Sequence, residues 1–194
     1  EWHTHELIYG YVPAIVAGFL LTAVPNWTGR LPTVGVRLAV LFFVWVAGRI
    51  AIFTSQILGA WVAAAIDMAF LMMLGGVIAR EIIASGNTRN LKVLVGVTLL
   101  LMGNALFHLE TNAGVGRGYG TRLGIGTTVL LIMLIGGRII PSFTRNWLVR
   151  RGPGRMPKSF DRFDGAVMIG GAIAITSWIL APDNIATAGL ALIA

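Results

Sequence analysis

Six stretches of the chain are apolar at nearly every position and are separated by short polar, Pro- or Gly-containing runs. They cover residues 7–24, 38–53, 57–79, 91–109, 123–140 and 163–181. Each is close to the roughly 20 residues a helix needs to cross a bilayer core. None shows the ten-residue alternation of a barrel strand, and a chain in lipid must satisfy its own backbone groups. The pattern predicts an all-α fold, a polytopic transmembrane helix bundle with six full spans. The second stretch is short, so its helix is expected to extend into the flanks. Pro25 and Pro141 are expected to end the first and fifth helices, because proline removes a backbone donor. The apolar run at 184–194 is too short to cross and reads as part of a seventh span. The whole of 1–194 therefore reads as a single transmembrane helical domain, a fragment of a longer protein.

Composition agrees with the pattern. Of 194 residues, 56% are hydrophobic and 12% charged, against about 25% charged in an average soluble domain. The absence of cysteine excludes disulfides, thiolate metal ligands and a thiol nucleophile. The net charge of +7 gains meaning once the cations are placed. Arg30, Arg37, Arg80, Arg89, Lys92 and the six cations of 142–162 all fall on one side of the membrane. Only Arg117 and Arg122 fall on the other. The positive-inside rule puts the first group in the cytoplasm and the N-terminal residue on the periplasmic side of a multi-pass inner-membrane protein. The basic residues thus read as a topology signal with a possible anionic-lipid contact, and no nucleic-acid partner is expected.

With that orientation, His3, His5 and His108 share one depth at the periplasmic end. Imidazole is the commonest side-chain metal ligand and a usual axial ligand of haem iron, so these three are candidate metal ligands. Wetted interfacial histidines are the alternative. His3 and His5 point the same way only in an extended segment; in a helix they diverge by about 200°. Glu6 and Asn104 are candidate supporting residues, Glu6 by orienting an imidazole and Asn104 by sharing a helix face with His108. Glu110, at the same level, reads as a carboxylate in interfacial water. Arg49 could hold an anionic group such as a haem propionate or reach the headgroups. Two intramembrane charges remain, Asp67 and Arg138. Asp67, mid-span, requires a partner, a proton or water; Arg138 is expected to reach the cytoplasmic interface.

Other features carry less. The Gly-rich 114–120 segment follows no strand and reads as a connection rather than a phosphate loop. Pro25-Asn-Trp-Thr28 and Pro141-Ser-Phe-Thr144 form a faint echo, consistent either with a parallel repeat or with shared helix-end chemistry.

Five blocks carry a resemblance: Trp2-His-Thr-His-Glu6, AGFLLTAVPNWTGR at 17–30, WVAGR at 45–49, GNALFH at 103–108 and GGRIIPSFTRN at 136–146. In these blocks and their order the sequence resembles the NnrS family. The resemblance implies a bacterial inner-membrane protein of about twelve spans that contains haem and copper. It also implies a link to nitric oxide metabolism and protection from nitrosative stress. Its implied ligand candidates are His3, His5 and His108. A secondary transporter using the mid-membrane Asp67 is the competing function.

Overall fold

The computed structural model describes residues 2–86, 90–152, 154–158 and 161–183. The short run at 184–194, Glu1 and Arg89 lie outside the described residues. Six helices are long and apolar enough to cross a membrane: α1 Trp2–Thr28, α2 Val36–Phe53, α4 Ala60–Ala84, α5 Leu91–Ala113, α6 Tyr119–Val149 and α7 Arg162–Leu180. A single turn, α3 Ser55–Leu58, joins α2 to α4. No strand occurs among the described residues. The chain is an all-α, multi-pass membrane protein with the six full spans its apolar pattern predicts.

Five of the six helices are longer than the apolar runs, and α7 has the same length as its run. Pro25 and Pro141 both lie inside helices, contrary to the expectation that they end them. A proline deletes its own donor and crowds the preceding turn, but its carbonyl still accepts. Pro25 O takes the N–H of Gly29 at 2.8 Å. The Asn26 side-chain amide also donates to Thr22 O at 3.0 Å within the disturbed turn. Gly29, at φ 69°, then closes α1 in the left-handed conformation that glycine adopts without a steric penalty.

The chain forms two compact units, Glu1–Ile125 and Gly126–Ala194. In the first, α4 is the central helix, packed on α2, α5 and α1. Its buried positions, Ala63, Ala64, Asp67, Phe70, Leu71, Leu74, Ile78 and Ile82, recur every three or four residues, the spacing of one helix face. On α1 the corresponding series is His5, Tyr9, Pro13, Val16, Leu20 and Val24. The opposite faces carry large exposed apolar residues such as Phe43, Phe53 and Ile50 on α2, the surface that lipid covers in a membrane helix.

In the second unit, the remainder of α6 packs on α7 through small residues. Gly126 faces the Ile175 side chain, and Gly171 faces Met133. Asp161 begins α7 with a capping box: its carboxylate accepts the N–H of Phe163 and of Asp164, while the Asp164 carboxylate accepts the N–H of Asp161. This satisfies backbone donors that the first turn leaves free.

Candidate metal centre

The site lies in the first unit, near the N-terminal end of α1, and four helices contribute to it. Helix α1 already starts at Trp2, so the His3 and His5 rings leave the axis about 200° apart. His5 falls on the core stripe and is 2% exposed. His3 is exposed and lies edge-on to the Trp2 ring at 4.9 Å. The structure therefore does not bring His3 to the other two histidines. Immediately after His5 the helix widens into a π-helical turn, Glu6–Tyr11, closed by Val12 N–H on Leu7 O. Such turns add a residue to the helix and are frequent at functional sites. Here the widened turn leaves Gly10 O to accept the Trp45 indole N–H at 2.9 Å.

Asp67 of α4 is the centre of the cluster. Its Oδ2 accepts the Asn104 amide N–H at 2.8 Å and lies 3.0 Å from His108 Nε2 and 3.3 Å from His5 Nε2. Asn104 and His108 sit one turn apart on the buried face of α5, so the shared face read from their spacing exists and points inward. The His5 and His108 rings are 4.9 Å apart between centroids. Asp67 Oδ1 is held by Arg49 Nη2 of α2. Arg49 Nη1 donates to Glu6 Oε1 at 2.7 Å, and His5 Nδ1 donates to the same oxygen at 3.3 Å.

The surroundings of His5 are polar on both sides of the ring. Glu6 faces Nδ1, while Asn104 Oδ1 (3.2 Å) and Asp67 Oδ2 face Nε2. The Arg49 guanidinium bridges the two carboxylates, Glu6 and Asp67. An uncompensated charge buried at this depth would cost several kcal/mol. Asp67, with a side-chain exposure of 0%, has Arg49 as its compensating cation.

Two glycines make room for the Arg49–Asp67 pair. A side chain at Gly10 would collide with the guanidinium, and one at Gly48 would press on Asp67. Arg49 is engaged by Glu6 and Asp67 rather than standing free for an outside anion. Its Nε is buried without a hydrogen-bond partner among the described residues.

One atom each from His5, Asp67 and His108, all buried, lie within 4.8 Å of one another, as ligands of a single ion would. Two imidazoles and one carboxylate suit a first-row transition metal. A cavity of about 310 Å³ opens beside the two rings, walled by Trp2, Ile52, Ala63 and Phe107 with Gln56 and Asn112 at polar positions.

The remaining candidates lie elsewhere. Glu110 caps α6, its two carboxylate oxygens accepting the N–H of Tyr119 at 2.9 Å and of Gly120 at 3.1 Å. Arg138 lies exposed on α6 in the second unit. Asp67 as the bridge between both histidines had no signal in spacing. The only hint was the cost of a lone carboxylate inside a span.

Among protein families, the model described as NnrS protein matches residues 1–194, the whole chain. No curated protein and no solved structure matches it.

Proposed function

This chain belongs to the NnrS family, and on that premise we propose a haem- and copper-containing protein of the bacterial inner membrane. We take its role to be in nitric oxide metabolism and protection from nitrosative stress. The observation that carries the copper part is the buried convergence of His5, Asp67 and His108. His5 Nε2, His108 Nε2 and Asp67 Oδ2 would hold the ion, and copper would supply one-electron chemistry there.

The protein's own groups prepare that position. Glu6 accepts from His5 Nδ1, which keeps a proton on that nitrogen and leaves Nε2 for the ion. His5 would ligate through Nε2 in its neutral form, since a ligating imidazole carries no proton on the bound nitrogen. Asn104 pins the Asp67 carboxylate. Arg49 holds the other oxygen of that carboxylate and ties it to Glu6. Phe107 and Ala63 make the adjoining cavity partly apolar, which suits a small neutral molecule such as nitric oxide.

The described histidines do not fit haem: the two imidazoles lie side by side on one carboxylate oxygen and could not hold an iron between them. Haem therefore rests on the family resemblance, and no described residue is assigned to it. A proton-coupled transporter is less well supported, because Arg49, Asn104 and both histidines already engage Asp67.

Elemental analysis of the purified chain tests the reading. About one copper per chain is expected, falling at least tenfold in His108→Ala while membrane insertion is kept. Adding nitric oxide should perturb the copper spectrum. A metal-free wild-type preparation would overturn the proposal.

A further inference from the structure

The opposite end of the first unit carries a second constellation. From His5 to Thr28, the last residue of α1, is 23 residues, about 34 Å along a helix axis, so the metal centre plays no part in it. The 29–35 connection turns at Gly29 and Gly35, both with positive φ. With the last turns of α4 it borders an open cavity of about 890 Å³. Arg30, Arg37 and Arg80 line it against a single carboxylate, Glu81. Arg30 is neutralised by Glu81 through an Nε–Oε2 contact of 2.5 Å. Arg37 and Arg80 have no ion-pair partner among the described residues and leave the cavity positively charged. The rim beside these cations is apolar: Leu31 is 89% exposed, Val36 79% and Val34 65%.

Two features of this arrangement identify the occupant. Two unpaired guanidiniums present forked donors that match phosphate oxygens. The exposed apolar rim sits where spans α1 and α4 end and α2 begins, and span ends are where headgroups meet acyl chains in a bilayer. A free anion would use the cations and leave Leu31, Val34 and Val36 bare, whereas a phospholipid satisfies both.

We infer that this cavity is a binding site for the phosphodiester headgroup of an anionic phospholipid, held by Arg37 and Arg80, with an acyl chain along Leu31, Val34 and Val36. The Arg30–Glu81 pair holds the connecting loop against α4 and keeps the cavity open.

Native mass spectrometry of the purified full chain, titrated with phosphatidylglycerol, phosphatidylcholine or inorganic phosphate, tests this. Phosphatidylglycerol should bind at least tenfold more tightly than phosphatidylcholine. Each of Arg37→Gln and Arg80→Gln should weaken it about fivefold, the effect of roughly 1 kcal/mol per basic residue at an anionic surface. Both residues are exposed, so the single variants should fold. Arg37→Lys keeps the charge and should restore most of the binding should the Gln variant fold poorly. A double change at the other end of the first unit, Arg117→Gln with Arg122→Gln, should leave binding within twofold. Equal binding of the two lipids, no loss in the Gln variants, or an equal loss in the distant variant would overturn the assignment. So would displacement of the lipid by millimolar inorganic phosphate, which would identify a free-anion site instead.

Discussion

Gly48 lies so close to Asp67 that a methyl group added at position 48 would stand 3.2 Å from the Asp67 Cα. This approach of α2 to α4 lets the neighbouring Arg49 reach a carboxylate on the next helix. Gly48→Val should force the two helices apart and destabilise the protein by about 1–3 kcal/mol, the usual cost of overpacking. Thermal unfolding in detergent, with copper content measured alongside, checks it. Unchanged stability would show that the contact is loose.

The Arg49–Asp67 pair is the main charge balance of the site. Arg49→Met alone leaves Asp67 short of a cation, and Asp67→Asn alone leaves Arg49 with only Glu6. The double variant should be less damaged than the two losses added together. A coupling energy of about 1–3 kcal/mol is expected for groups in one network, read from a double-mutant cycle of unfolding in detergent.

Copper loading should separate the histidines that the sequence groups together. His3→Ala should leave copper content unchanged, because that ring faces away. Asn104→Leu should weaken copper binding about 10–100-fold through misplacement of Asp67, the usual scale for groups that orient ligands. Competition with a copper chelator measures both.

Tyr9 is 1% exposed and donates to Gly120 O at 2.6 Å, tying α1 to the start of α6. Tyr9→Phe keeps the ring contacts with His5 and Phe107 and removes the buried hydrogen bond to the Gly120 carbonyl. A loss of about 1–3 kcal/mol is expected from the unmade bond, with copper content nearly unchanged. A larger effect on copper than on stability would mean that Tyr9 positions His5.

Orientation is checked separately. A periplasmic phosphatase fused after Ala113 should be active, and one fused after Arg155 inactive, if the basic connections face the cytoplasm.

Much of the architecture was legible in the chain. The number and order of spans follow from runs of apolar residues matched to bilayer thickness, a one-dimensional property. The pairing of Asn104 with His108 also follows from a spacing of four on one helix. Helix ends were less accessible: Pro25 and Pro141 sit within helices whose other bonds survive, so the expected breaks did not occur.

The composition of the site needed the tertiary structure. These helices are apolar on nearly every face, so no periodicity marks which stripe turns inward, and His3 and His5 looked equivalent until packing buried only one. Asp67 lies 18 positions from Arg49 and 41 from His108, and nothing local in the chain couples them. That a carboxylate within a span needs compensation follows from the chain alone, because lipid cannot solvate charge. Only the packing of α1, α2 and α5 around α4 decided that an arginine, an asparagine and two histidines supply it.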